Sequence, residues 1–198
     1  MLKFCLFSVV NLFVYRGDDK EVNPKVIKKK NIYQGKILDL SVDTVLFAGQ
    51  AVEMECIKHP GGAAVVPLLP DGSVVLIKQY RYVIGDTIWE IPAGRLEPGE
   101  SPRDCAFREL EEEVGYRATD VVQLTEIYSA PAYCTEVIFI FLATGLVPGM
   151  QKLDEDEYIE IVTLPLSEAV AMVERSEITD AKTVTGLLLA NKKKEVAS

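Results

Sequence analysis

The chain has 198 residues, 48% of them apolar and 26% charged, enough to bury one sizeable core or a core plus a small accessory lobe. Its formal charge is −9, which opposes non-specific nucleic-acid binding because a phosphate backbone would be repelled. A protein of this sign that handles a negative substrate needs local cations, either basic side chains or bound metal. Cys5, Cys56, Cys105 and Cys134 are far apart and form no C-x-x-C pair, so neither a zinc site nor a disulfide framework is expected. The default is a reducing, cytoplasmic location.

In chain order, Met1–Tyr15 is an apolar run broken by Asn11. It is too short to span a bilayer, and Arg16-Gly17-Asp18-Asp19 after it does not resemble a leader cleavage site. Residues 1–24 are therefore set apart as an extension of unknown role, read as an added strand or an early start codon with a targeting segment as the alternative, and no membrane partner is expected. Lys25–Lys30 is basic and polar and reads as a linker. From Asn31 to Pro60 the pattern alternates, with Ile37, Leu38, Leu40, Val42 and Val45 leading to a turn at Ala48-Gly49-Gln50 and Val52, Met54 and Cys56 returning. This predicts a small antiparallel lobe within residues 25–60.

Ala63–Leu69 and Val74–Gln79 are two apolar strands joined by the turn signal Pro70-Asp71-Gly72. Thr87–Ile91 is a short strand ended by Pro92. Ser101–Val114 is the clearest helix: Ser101 caps it, Pro102 suits its first turn, and Ala106, Leu110 and Val114 form an apolar stripe that Gly115 terminates. Strands are expected at Val121–Tyr128, Val137–Ala143 and Tyr158–Leu164, and helices at Ser167–Arg175 and Thr179–Lys192. The fold class is α+β, a mixed sheet with flanking helices.

Residues 108–113 read Arg-Glu-Leu-Glu-Glu-Glu. Glu109 and Glu113 stand at i, i+4, and Glu109 and Glu112 at i, i+3, so they share a helix face and repel. A bare E-x-x-E is usually a solvated acidic face. Here the apolar stripe places Glu109 and Glu113 at the edge of the buried side, where repulsion is less screened. A hard divalent cation such as Mg²⁺ turns that repulsion into attraction. The Gly/Pro-rich segment from Ile91 to Glu100 runs into the helix, and Gly94 lets the backbone turn so that the Ala93 carbonyl can face the same cation.

Gly94, Glu100, Arg108, Glu109, Leu110, Glu112, Glu113 and Gly115 match G-x5-E-x7-R-E-U-x-E-E-x-G-U, with Tyr116 in place of the final bulky aliphatic residue. The chain thus resembles the Nudix hydrolase superfamily. The resemblance implies a Nudix-type α/β/α sandwich with an N-terminal antiparallel β lobe, and makes residues 61–198 the catalytic domain. It implies Glu109, Glu112, Glu113 and the Ala93 carbonyl as metal ligands for Mg²⁺ or Mn²⁺. Arg108 would orient the glutamates, and Glu100 would support the loop or join the metal site.

Gln79-Tyr80-Arg81, Glu90-Ile91-Pro92-Ala93-Gly94, Pro131, His59-Pro60-Gly61 and Asp180-Ala181-Lys182-Thr183 are similar to the ADP-ribose pyrophosphatase group, over roughly Ile32 to Leu189. That likeness implies a nucleoside-diphosphate sugar as substrate, ADP-ribose foremost and GDP-mannose or ADP-glucose as alternatives. A non-catalytic nucleotide-sugar sensor is the reading from another class. The likeness also implies a homodimer built through the lobe. Arg81, Glu90 and Pro131 become substrate-side candidates. The general base would be an acidic residue on a loop after the helix, Glu157 first and Glu155 second. His59 and Trp89 read as turn and core residues.

Overall fold

A computed structural model describes residues 24–47, 49–153 and 158–197. The expectations for Met1–Tyr15, Glu155 and Glu157 fall outside these residues, as does Cys5.

Three strands of the main body carry continuous apolar stretches where both of their faces are covered. They are β4 (Gly62–Pro67), β5 (Ser73–Arg81) and β9 (Val137–Pro148). Ala64, Val66, Val74, Leu76, Ile140 and Leu142 face one core, shared with Leu166, Ala169, Met172, Ile178, Leu187 and Ala190. Those partners lie on or between helices α2 (Leu166–Glu174) and α3 (Ala181–Ala197). The alternate residues Ala63, Val65, Val75, Ile77, Phe141 and Ala143 face a second core, shared with Cys105, Ala106, Leu110 and Val114 of helix α1 (Pro102–Val114). The period-2 side-chain alternation of a strand divides the sequence between two helical layers, giving helix, sheet, helix.

The strands form two sheets. One has the order β10 (Ile159–Pro165), β5, β6 (Asp86–Glu90); the other β7 (Ala93–Arg95), β4, β9, β8 (Tyr116–Tyr128). β4 and β9 run parallel and the other neighbours antiparallel, so the expected mixed arrangement is present. The turn at Asp71-Gly72 is also present, with Gly72 at φ +86°. It does not close a simple hairpin, however: β4 and β5 part into different sheets, and the only ladder pairing between the segments among the described residues is the isolated Leu68–Val74 bridge. A residue pattern that buries both faces does not say which neighbour a strand pairs with.

Residues before β4 build a separate antiparallel sheet, β1 (Lys25–Gln34), β2 (Asp39–Phe47) and β3 (Gln50–Lys58). Lys25–Lys30, read above as a linker, is instead the first half of β1, paired from Lys25–Leu46 to Gln34–Asp39. All ten residues of β1 are exposed. A strand with solvent on both sides needs no apolar alternation, and Lys29 lies 3.7 Å from Asp43 of β2. The lobe is stitched to the main body where the Ile57 amide donates to the Tyr133 carbonyl and the Thr135 amide to that of Ile57.

α1 begins and ends where its caps require. Ser101 Oγ accepts the Asp104 amide at 3.1 Å, and Gly115 adopts φ +70°, the left-handed conformation that glycine takes without a Cβ penalty.

Candidate active site

α1 and the segment 91–100 converge on one group of carboxylates. Glu109 and Glu113 are 7% and 2% exposed, so the i, i+4 pair lies within the buried stripe. Glu113 Oε2 accepts the Ala93 amide at 2.9 Å. Arg108 reaches across the cluster. Its Nη1 donates to Glu109 Oε1 at 2.6 Å and to Glu112 Oε2 at 3.0 Å. Its Nε and Nη2 grip the two oxygens of Glu100 at 2.8 and 3.0 Å. The hydrogen bond from Arg108 holds the Glu100 carboxyl down at about 2, far below the ordinary value of 4.5. The Glu100 bond, reinforced by Glu109 and Glu112, raises Arg108 further.

Gly94 is required by contact. A Cβ at this position would lie 1.7 Å from Glu109 Oε1, so only a residue without a side chain lets that carboxylate rest against the loop backbone. Beside it, Cys105 is buried with Sγ 3.7 Å from the Gly94 carbonyl oxygen. Burial, then the carboxylates of Glu100 and Glu109, push its thiol up to about 12, which fits packing rather than nucleophilic chemistry.

A cleft of about 360 Å³ opens over this group, lined by Gly94, Arg95, Leu96, Arg108, Glu109, Glu112 and Lys152 among others. With Arg108 spanning Glu109 and Glu112, the described residues present no preassembled set of three or more side-chain ligands. The donor chemistry nevertheless fits a hard divalent cation: carboxylate oxygens on two adjacent turns, and a glycine that leaves room for one of them against the loop.

Arg81 and Glu90 come together in a second cluster. Arg81 Nε and Nη2 hold Glu90 at 2.6 and 2.7 Å, and Lys182 Nζ contacts the same carboxylate. Burial alone would push the Glu90 carboxyl up, but the bonds from Arg81 and Lys182 outweigh it and hold the group below its usual range. Arg81 is raised chiefly by its bond to Glu90 and also by the charge of Glu113, so the two clusters lie within electrostatic reach. Arg81, Glu90 and Pro131 do not line the cleft. Pro131 is exposed in the turn that the Cys134 amide closes on Ala130.

Some site residues were missed by the sequence reading. Lys182 was noted only as part of Asp180-Ala181-Lys182-Thr183, and nothing in a helix-start pattern says that its ammonium turns inward. Lys152 lines the cleft, and its amide donates to the Glu112 carbonyl at 2.9 Å; it sits in an unpatterned loop. His59 is a turn residue as expected, its Nδ1 accepting the Gly61 amide at 3.1 Å. Trp89 packs beside the core that faces α2 and α3.

The NUDIX domain family matches residues 58–186. An ADP-ribose pyrophosphatase of Bacillus subtilis (strain 168) is 42% identical over 83% of this chain and 90% of its own length. A methanol dehydrogenase activator of Bacillus methanolicus is 39% identical over 81% and 88%. A GDP-mannose pyrophosphatase of Yersinia enterocolitica is 40% identical over 58% and 64%. The fold is similar to a crystal structure of an ADP compounds hydrolase, with a TM-score of 0.79 at 24% identity, covering 88% of this chain and 96% of that one. Helix, loop and sheet thus agree with the match along the sequence, and the chain belongs to the Nudix family of hydrolases.

Proposed function

We propose that the protein is a Mg²⁺-dependent pyrophosphatase of nucleoside-diphosphate sugars that converts ADP-ribose and water to AMP and ribose 5-phosphate. The observation that carries this is the seating of buried Glu109 against Gly94, beside Glu113 and Glu112, at a cleft lined by Arg108 and Lys152. Mg²⁺ or Mn²⁺ would be held by Glu109, Glu112, Glu113 and the Ala93 carbonyl, and when bound it polarises a diphosphate and acidifies a water. Arg108 orients Glu109 and Glu112 through its Nη1 bonds. Glu157, with Glu155 as second choice, takes the proton of the attacking water. In the sequence both glutamates follow Lys152, which lines the cleft. Water adds to one phosphorus and the bridging P–O bond breaks. Arg81 contacts a substrate phosphate while Glu90 fixes its guanidinium, and Pro131 lies on the substrate side.

The substrate assignment draws on the 42% identity to the Bacillus subtilis ADP-ribose pyrophosphatase over most of both chains. The second reading, GDP-mannose hydrolysis, is favoured by the Yersinia relative, which matches a shorter part of the chain. Retention of Glu109, Glu112 and Glu113 speaks against a non-catalytic sensor. Residues 25–60 would form the accessory lobe of a cytoplasmic homodimer and 61–198 the catalytic domain, with 1–24 an extension. No described helix is long and apolar enough to cross a membrane.

Incubating the protein with ADP-ribose, ADP-glucose and GDP-mannose, with Mg²⁺ and with EDTA, tests the proposal. Metal-dependent release of AMP chiefly from ADP-ribose supports it. Preferential cleavage of GDP-mannose transfers the assignment to the second reading, and no cleavage of any compound removes both.

A further inference from the structure

The segment Glu90–Gly94 crosses from one sheet to the other. Glu90 ends β6 in the β10-β5-β6 sheet, and Ala93 opens β7 in the sheet of β4 and β9. A crossing segment leaves one ladder before it enters the next, so its amides need other partners. The Ile91 amide donates to Thr183 Oγ1 at 2.9 Å. That hydroxyl in turn donates to Asp180 Oδ2 at 2.6 Å, and the Thr183 amide reaches the same oxygen at 3.0 Å. Lys182 Nζ bridges Asp180 Oδ2, at 3.1 Å, and Glu90 Oε2. One turn along α3, Gly186 brings the helix against the crossing: a Cβ there would lie 3.0 Å from Ile91 Cδ1. Beyond the crossing, the Ala93 amide meets Glu113, and Gly94 backs Glu109.

We infer that Lys182, with Thr183, is a positioning residue of the active site: the first turn of α3 anchors the Glu90–Gly94 crossing and so sets where the loop meets Glu109 and Glu113. Lys182 is not among the residues lining the cleft and acts through Glu90, whose side chain is 1% exposed and also held by Arg81. The inference rests on the proposed reading of Glu109, Glu112 and Glu113 as the cation site. It extends that site to a helix some seventy residues later in the chain.

The test measures Mn²⁺ binding to the full chain by electron paramagnetic resonance of the free ion, with ADP-ribose turnover alongside. Lys182→Met keeps the aliphatic stem and removes the charge; Lys182→Arg keeps a cation for Glu90. Arg175→Met breaks a pair with Glu168 and Glu177 on the surface and controls for loss of any ion pair. Partners that orient metal ligands are worth about 10–100-fold in metal affinity, so Lys182→Met is expected to weaken Mn²⁺ by about that factor. Lys182→Arg restores most of the affinity, and Arg175→Met matches wild type. Raising Mn²⁺ recovers turnover in Lys182→Met, which a general loss of structure would not allow. Should Lys182→Met fail to fold, Thr183→Val against Thr183→Ser carries the same comparison, with Val weak and Ser near wild type. Unchanged Mn²⁺ affinity in Lys182→Met or Thr183→Val overturns the inference, as does a Lys182→Arg variant no better than Lys182→Met. A wild type that takes up Mn²⁺ yet cleaves no nucleotide sugar overturns the substrate reading alone. A wild type that binds no Mn²⁺ overturns both.

Discussion

Two groups of buried carboxylates in the main body, around Glu90 and around α1, have their charge answered differently. Around Glu90, two cations, Arg81 and Lys182, close on one carboxylate, and Asp180 sits beside the second of them. Positive and negative groups alternate, and the buried charge is matched within the fold. Around α1, Glu100, Glu109 and Glu112 all draw on the single guanidinium of Arg108, while Glu113 rests on an amide. Buried charge is costly unless paired; the first cluster pairs one carboxylate with two cations, whereas the second shares one cation among three carboxylates, and on the proposed function a divalent ion would join it.

The comparison can be broken at either end. The largest effect is expected from Glu90→Gln, which leaves Arg81 and Lys182 without their shared anion. Breaking a buried pair from one side costs about 3–5 kcal/mol, read as a lowered urea midpoint that added Mg²⁺ does not restore. Glu109→Gln should differ. It removes repulsion from Glu112 and Glu113 while Arg108 keeps Glu100 and Glu112 as partners, so the metal-free melting temperature falls less than in Glu90→Gln, yet turnover drops about 10²–10³-fold, since metal assistance is worth several kcal/mol in the transition state. If Glu109→Gln destabilises the metal-free protein as Glu90→Gln does, the contrast between the clusters fails.

A smaller effect concerns acid. The Arg108 bond depresses the Glu100 carboxyl from 4.5 to about 2. The stability it contributes is complete above about pH 4.5 and is lost as the pH falls toward 2. A pH series of melting temperatures should show a shallower loss over that window in Glu100→Gln than in wild type. The smallest effect is at the helix start, where Ser101→Ala removes the acceptor for the Asp104 amide and costs about 1 kcal/mol. Mn²⁺ affinity should stay close to wild type in that variant, because the carboxylates lie on later turns.

The parts legible in the sequence were those governed by local rules. The capping serine and terminal glycine of α1, the apolar stripe, and the placing of Glu109 and Glu113 on its buried side follow from residues within one helix. Strand positions in the two-sided sheet followed from continuous apolar runs. What was not legible depended on contacts between distant segments. β1 carries too many lysines to look like a strand, and its pairing with β2 supplies what its own pattern lacks. The separation of β4 from β5 is a matter of partner choice, which apolar content does not encode. Lys182 lies ninety-two positions from Glu90, and a lysine at a helix start is ordinarily solvated. Glu155 and Glu157 lie outside the described residues, and their roles rest on the resemblance.

Ala93 and Gly94 are paired across the sheet with Ala64 and Ala63, and those two alanines point into opposite cores. The loop that meets the carboxylates is therefore mounted on a plate loaded from both sides. A repacking under α3 has a route to the loop through β4, beside the direct contacts of α1. Activity should consequently track substitutions in the far core more closely than their distance from the cleft suggests, and directed changes there offer a means of tuning the site without touching it.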